Sequence, residues 1–284
     1  MGSTERAMTP ALFRRFCRLA YEQAGISLHA GKEALVAARV GKRVRALSLE
    51  SEAEYLEYLE ADATGEELVH FLDAISTNFT SFLREPDHFE ELKKVVLRRL
   101  AEGQKVLRLW SAACSSGEEP YSMALAVLES LGGKPLEFRI LATDISRQML
   151  AQAERGVYSA ERLAPLSRAQ RARYFTPHVD GGPPGAPRYQ VLPEVRAHVV
   201  FRRLNLSLPP FPMKGRLDVV FCRNVLIYFD RPVRQQLIQE IERLLRPGGT
   251  LALGHTETLT GIRSRLRMVR PSVFVLPEEE AEHP

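Results

Sequence analysis

Residues 106–122 have the sequence VLRLWSAACSSGEEPYS, whose first five residues are an apolar run typical of a buried strand. A turn of small residues follows at 111–117, and Pro120 suits the first turn of a helix. A strand, a turn and a helix in this order predict the first unit of an α/β fold.

The same alternation continues beyond this stretch and predicts a doubly wound, mainly parallel sheet. Strands are expected at 106–110, 138–143, 199–204, 217–222 and 250–254, and helices at 120–131, 146–154 and 232–245. Residues 174–200 depart from this rhythm because GGPPGAP at 181–187 separates two short strand-like pieces. We therefore expect a small β-hairpin insert there.

The part of the chain before the sheet has a helical pattern. Apolar residues such as Val36, Val40 and Val44 recur at helical spacing between residues 10 and 76, and Ser51 with Glu54 predicts a capping box. We expect a small all-helical domain at 1–77 and an α/β domain at 78–284, with the β insert at about 174–200.

Composition limits the class of protein. The 284 residues are 45% hydrophobic, enough for a sizeable core, and the three cysteines lie far apart without a CxxC pair. This pattern favours neither a disulfide framework nor a metal site, so a reducing, cytoplasmic location is expected. Arg223 and Asn224 interrupt the longest apolar run, and no signal peptide or membrane span is predicted.

Ligands of open α/β sheets bind beyond the carboxyl ends of the strands. In the first of these segments, Glu118 and Glu119 occupy the predicted start of a helix, where their carboxylates would repel a phosphate. A dinucleotide is therefore disfavoured, and a cationic, phosphate-free nucleoside such as S-adenosylmethionine suits the position. The alternative is that either glutamate simply complements the helix dipole.

Other strand ends carry polar residues as well. Asp144 follows the second strand and is expected either to contact the nucleoside or to cap the next helix. Later segments contribute Asn205 with Leu206, and then Arg223, Asn224 and Tyr228. An Arg-Asn pair is costly in a buried run without partners, which favours a functional site.

Four strings, in order, resemble those of the CheR-type chemotaxis-receptor glutamate methyltransferases: TNFTSFLRE (77–85), WSAACSSGEEPYS (110–122), FCRNVLIYFD (221–230) and GHTE (254–257). The resemblance covers nearly the whole chain. It implies a Rossmann-like methyltransferase domain, S-adenosylmethionine as methyl donor, S-adenosylhomocysteine as product, and glutamate carboxylates of methyl-accepting chemotaxis receptors as the acceptors.

The resemblance also assigns roles to residues. Arg84 and Tyr228 are expected at the reacting methyl group, as the catalytic pair. The expected cofactor contacts are Asn78, Thr80, Arg84, Glu118, Asp144, Asn205, Leu206, Arg223 and Asn224. No metal ligand is expected, and His255 in GHTE is interpreted as structural.

The expected chemistry needs no general base. A glutamate with an ordinary pKa near 4.3 is already an anionic nucleophile at neutral pH, so in-line positioning in a dry pocket governs the rate. Cys114 lies in the first loop, but the neighbouring acids should raise its thiol pKa, and a packing role is expected.

Lys32, Arg39 and Arg43 fall on one helical face and would present a basic stripe. Composition alone favours a solvated face, whereas the resemblance implies that this stripe contacts the glutamate-rich helical region of a receptor. The resemblance further implies that the β insert can hold a receptor-tail peptide.

Two alternatives remain open. One is a methyltransferase for another substrate such as nucleic acid, against which the net charge of only +4 argues. The other is a non-catalytic, S-adenosylmethionine-responsive signalling module.

Overall fold

The computed structural model describes residues 8–29, 31–76, 79–179 and 187–278. The chain divides into two compact units, one of Met1–Asn78 with Tyr228–Val233, and one of Phe79–Ile227 with Arg234–Pro284. Asn78 and the centre of the predicted hairpin insert lie outside the described residues. The domain limits expected from the sequence stay predictions.

The described elements alternate as the pattern predicts. The helices are α1 (Pro10–Ala24), α2 (Glu33–Ala46), α3 (Glu52–Ala61), α4 (Glu66–Ile75), α5 (Asp87–Ala101), α6 (Glu118–Leu131), α7 (Arg147–Arg155), α8 (Arg168–Tyr174), α9 (Pro193–Arg196) and α10 (Arg231–Leu244). The strands are β1 (Val106–Ala112), β2 (Glu137–Asp144), β3 (Val157–Ser159), β4 (Phe175–His178), β5 (Arg188–Val191), β6 (Val199–Arg203), β7 (Leu217–Cys222), β8 (Leu245–Leu253), β9 (Arg267–Arg270) and β10 (Val273–Val275).

Helices α1 to α4 form the first unit around an aromatic cluster. The rings of Phe16, Tyr55 and Phe71 are almost fully buried and lie 5.5–6.5 Å apart, centroid to centroid. Such edge-on and offset contacts add to the stabilisation from burial itself. The helical prediction for this part of the chain is confirmed.

The predicted capping box at the start of α3 is only half formed. Ser51 Oγ accepts a hydrogen bond from the Glu54 amide at 3.1 Å, as expected for an N-cap. Glu54, however, accepts from the amide of Glu50 at 2.7 Å, one residue before the cap. A complete capping box is found instead at Ser167 and Gln170, where α8 begins.

The arginines of the predicted basic face have partners within the first unit. Arg39 donates to the carbonyls of Ala74 and Ser76, at the end of α4. Arg43 forms a two-pronged ion pair with the buried Glu67, at 2.8 and 2.7 Å. Both arginines therefore help to stabilise the helical unit, which the charge pattern alone did not reveal.

A seven-stranded sheet in the order β6-β2-β1-β7-β8-β10-β9 organises the second unit. The first five strands are parallel, and β10 and β9 are antiparallel additions at one edge. The chain moves outward from β1 in both directions, so a topological switch point lies between β1 and β7. Ligands of this fold class bind at such a point, beyond the carboxyl ends of the strands.

A second, smaller sheet in the order β3-β5-β4 is antiparallel, and its strands β4 and β5 lie within the predicted insert. Among the described residues, no helix is long and apolar enough to cross a membrane.

Candidate functional site

The loop between β1 and α6 is tightly shaped. Ala113, Ser115 and Gly117 all have positive φ, and Gly117 begins the turn into α6. A Cβ on Gly117 would lie 2.7 Å from the Cβ of Ala153 and 2.9 Å from the hydroxyl of Tyr158. Glycine is therefore required both for the backbone conformation and for the close approach of the neighbouring chain.

Asp144 joins this loop to the one that follows β2. One carboxylate oxygen accepts from the amide of Ser115 at 2.8 Å, and the other accepts from the amide of Ser146 at 2.9 Å. Ser146, rather than Asp144, is the N-cap of α7. The alternative prediction, that Asp144 caps this helix, is therefore wrong.

Glu118 is fully buried at the start of α6. Ser116 donates to one of its carboxylate oxygens at 2.7 Å, and Arg162 forms a short ion pair with the other. The carboxylate thus complements the helix N-terminus and is neutralised by Arg162. Its predicted contact with a cofactor stays a prediction.

Glu119 and Arg223 span the switch point. Arg223 donates to Glu119 at 3.0 Å, and Ser111 at the end of β1 donates to the same carboxylate at 2.7 Å. Burial raises the pKa of Glu119, while the charge of Arg223 acts in the opposite direction. The Arg223 side chain is 1% exposed, so a full positive charge is held beneath the crevice.

Arg223 has a second carboxylate partner, Glu85, at 2.9 Å, and it also donates to the backbone carbonyl of Arg84. Glu85 accepts from the side-chain amide of Asn224 at 3.3 Å as well. Hydrogen bonds and charge from Arg223 keep the pKa of Glu85 below its usual value, although burial opposes them. The Arg-Asn pair is thus partnered as its burial requires.

Asn224 adopts a left-handed conformation that Glu257 stabilises. One oxygen of Glu257 accepts from the amides of Asn224 and Gly254 at 2.8 and 2.7 Å. A Cβ on Gly254 would lie 2.4 Å from the side-chain nitrogen of Asn224. The motif GHTE therefore shapes the turn that presents Asn224.

The other predicted site residues are placed as follows. Arg84 donates to the carbonyl of Phe79 at 2.9 Å, and Thr80 is half-buried in the same segment. Asn205 accepts from the amide and hydroxyl of Ser207, and Leu206 is buried.

Tyr228, the remaining described member of the predicted set, belongs to the first unit. Its backbone carbonyl accepts a hydrogen bond from the amide of Ser27. The predicted role of its side chain is not tested by this contact.

Hence the structure brings together the residues from three strand ends, around Asp144, Glu118 and the Arg223-Asn224 pair. Sequence reasoning missed Glu85, Arg162 and Glu257 as members of this network. Glu85 and Glu257 each end one of the motifs quoted above. Arg223 follows a buried strand, and a buried arginine needs carboxylate partners, which is a signal that could have pointed to such glutamates. Arg162 carried no comparable signal because it lies in an irregular segment.

Cys114 is buried, and burial, assisted by Asp144 and Glu119, raises its thiol pKa well above the usual value. A thiol in this state is a poor nucleophile, so the predicted packing role is confirmed.

The donor set of the crevice fits a phosphate-free, cationic ligand. The N-terminus of α6 already has two buried carboxylates, which leaves no place for a phosphate. The carboxylate of Asp144 lies at the end of β2, where ligands of this fold class bind, and a carboxylate is a suitable acceptor for a ribose hydroxyl. S-adenosylmethionine meets both conditions.

Comparison with known families assigns both parts of the chain. The family model described as CheR methyltransferase, all-alpha domain, matches residues 11–76, and the model described as CheR methyltransferase, SAM binding domain, matches residues 78–275. The chain is 36% identical over 275 residues to the chemotaxis protein methyltransferase of Salmonella typhimurium, covering 97% of this chain and 93% of that protein. It is 38% identical over 273 residues to chemotaxis protein methyltransferase 2 of Pseudomonas aeruginosa, covering 96% and 95%.

These matches extend over the helical unit, the parallel sheet and the motifs of the crevice. The chain belongs to the CheR methyltransferase family.

Proposed function

We propose that this protein transfers the methyl group of S-adenosylmethionine to glutamate side chains of methyl-accepting chemotaxis receptors, giving glutamate methyl esters in the cytoplasm. The observation that carries the proposal is the polar cluster of Asp144, Glu119 and Arg223 at the switch point, where the carboxylates disfavour a phosphate. Membership of the CheR methyltransferase family supports the cofactor and the reaction class.

Within this proposal, Asp144 accepts from the ribose, and Glu118 lies near the amino-acid part of the cofactor. Asn205, Leu206 and Asn224 line the crevice from the later strand ends, while Arg223 holds the acids Glu85 and Glu119 in place. Asn78, Thr80 and Arg84 complete the predicted set. When bound, the cofactor supplies an electrophilic methyl group on a sulfonium ion.

The remaining chemistry is positioning. Arg84 and Tyr228 together steer the acceptor carboxylate and shape the pocket around the methyl group. Both charges are lost as carboxylate and sulfonium become ester and thioether, so a pocket that excludes water favours the reaction. No proton has to be moved, which explains why no base is needed.

Labelled methyl transfer tests the reaction. Incubation with a receptor fragment and methyl-labelled S-adenosylmethionine should give label on the receptor that base releases, as expected of an ester. Label that resists base would instead support a methyltransferase for another group. Absence of transfer, with the cofactor product still bound, would support the non-catalytic signalling module.

The role of Tyr228 can be separated from cofactor binding. Replacement Tyr228→Phe should lower kcat about tenfold or more, because a group that acts only in the transition state affects turnover rather than affinity. Calorimetry with S-adenosylhomocysteine should give a nearly unchanged Kd. Unchanged turnover would remove the hydroxyl from the mechanism.

We also propose that the face of α2 around Lys32, Arg39 and Arg43 docks on the receptor's glutamate-rich helices. Because Arg43 pairs with the buried Glu67, reversing its charge would disturb the helical unit as well as the surface. Lys32 is therefore the cleaner position for a test, and Arg45, about 140° away around the helix axis, is the matched control.

Lys32→Glu should reduce kcat/KM for a receptor fragment severalfold at low salt, and the reduction should shrink near 0.5 M salt as the charges are screened. Arg45→Glu, which changes the net charge equally, should have a smaller effect. Equal effects of the two variants would mean that overall charge, not this face, attracts the receptor.

The β insert is proposed, on the resemblance, to hold a receptor-tail peptide. Titration of the enzyme with a peptide of the receptor's last residues should show saturable binding. A variant with residues 181–187 replaced by a short glycine linker should lose that binding and keep its affinity for the cofactor product.

A further inference from the structure

Three side chains near the start of α5 form a group that includes two histidines without a role in the proposed methyl transfer and Glu85, the partner of Arg223. Glu85 precedes the helix, His88 lies in its first turn, and His255 follows β8. One donor atom from each lies within 4.8 Å of the others. Two imidazoles and a carboxylate are the donor types that first-row divalent cations prefer in proteins.

The contacts around His88 favour one tautomer. The Ser272 hydroxyl lies 2.7 Å from the carbonyl of Pro271, to which it can donate, and 2.8 Å from His88 Nε2. In this arrangement the Ser272 oxygen accepts from His88 Nε2–H, and Nδ1 presents a lone pair. His88 is 0% exposed, and among the described residues its Nδ1 has no hydrogen-bond partner.

That lone pair faces a carboxylate. His88 Nδ1 lies 3.4 Å from Oε2 of Glu85. This distance is too long for a good hydrogen bond, and it is short for two buried acceptor atoms that have no hydrogen between them. Two donors bound about 2.0–2.1 Å from one tetrahedral ion are about 3.3–3.4 Å apart, which matches this distance. The two atoms are spaced as ligands of a shared cation.

His255 has a carboxylate next to one of its two ring nitrogens. Its Nε2 lies 3.0 Å from the carboxylate of Asp87, which leaves Nδ1 for an ion. A carboxylate on the outer nitrogen is the usual support for a ligating histidine. The His255 side chain is 46% exposed, so it has room to move the distance of about 1.5 Å that closing around an ion requires.

The positive charge of Arg223 does not prevent Glu85 from binding a cation. Arg223 donates to the same oxygen of Glu85 at 2.9 Å, and ligating carboxylates are themselves commonly hydrogen-bonded by outer residues. Among the described residues, the carboxylates of Glu85 and Glu119 contact Arg223 and that of Asp87 contacts His255, so carboxylates outnumber guanidinium groups there and a dication would offset their negative charge.

We infer that Glu85, His88 and His255 bind one divalent transition-metal ion of the zinc or cobalt type, with solvent completing the coordination. The ion ties the start of α5 to the turn after β8 that presents Asn224. No step of methyl transfer runs through it, and its binding can be measured without the reaction.

Cobalt(II) tests the site in the full-length, tag-free protein after treatment with a chelator. We expect one equivalent to bind with visible absorption of a low-coordinate nitrogen and oxygen environment. His255→Ala should weaken binding at least tenfold, and Asp87→Asn by about tenfold, through loss of the supporting carboxylate. His29→Ala removes an exposed histidine elsewhere and should leave binding unchanged.

Competition with zinc should remove the cobalt absorption and raise the thermal midpoint of the wild-type protein but not of His255→Ala. Circular dichroism checks that each variant is folded. The inference is overturned if the wild-type protein binds no cobalt at millimolar concentration. It is equally overturned if His255→Ala, folded, binds cobalt as the wild-type protein does.

Discussion

At the level of single residues, Gly117 offers the most direct test of the first loop. Gly117→Ala should lower the free energy of unfolding by about 2–4 kcal/mol, because the new methyl group adds a steric clash to an unfavourable φ. Urea denaturation, followed by the fluorescence of Trp110, measures this change in the free energy of unfolding. Gly103, also at positive φ but facing open space, is the control, and Gly103→Ala should cost only about 1–2 kcal/mol. Equal losses would show that the close packing around Gly117 contributes nothing.

Single residues also show which parts of the site a sequence can predict. Asp144 and Arg223 follow strands directly, and the rule that parallel strands end at a common edge places them correctly. Glu85 and His88 lie at the start of α5, whereas their partners are 138 and 184 residues later in the chain, directly after β7 and directly before β10. Such pairings depend on tertiary packing, which periodicity and spacing do not contain.

Individual helices and strands depend on local signals to different extents. The central strands β1, β2 and β7 are mainly apolar and mostly buried, β7 throughout, and they were predicted within two residues. Strands β9 and β10 were not predicted: β9 is exposed throughout and has the charged sequence RMVR, and β10 is only three residues long. The pairing of β9 with β10 is what makes it a strand.

Helix α3 provides a test of a local signal. Ser51→Ala should lower stability by about 1 kcal/mol, since it leaves the amide of Glu54 without its capping acceptor. Ser51→Asp retains an acceptor and should be nearly neutral. Thermal unfolding followed by circular dichroism of the two variants gives the difference. A destabilised Ser51→Asp would indicate that the serine hydroxyl has a role other than capping.

For the whole molecule, binding of the cofactor product should raise the free energy of unfolding of the unit that contains the crevice. Trp110, the only tryptophan of the chain, is buried in β1 and donates to Thr143 at 2.9 Å, so its fluorescence reports the sheet. S-adenosylhomocysteine at about 100 times its Kd should stabilise the folded protein by about 2.7 kcal/mol through mass action.

Asp144→Ala is the informative variant for this linkage. It removes the acceptor of the Ser115 amide together with the proposed ribose contact, so at the same ligand concentration the stabilisation should largely disappear. Glu161→Ala, an exposed change in the same unit, should keep the full shift. A wild-type protein whose fluorescence transition does not move with S-adenosylhomocysteine would contradict the proposed crevice. A full shift in Asp144→Ala would leave the crevice intact and exclude that carboxylate as a main ligand contact.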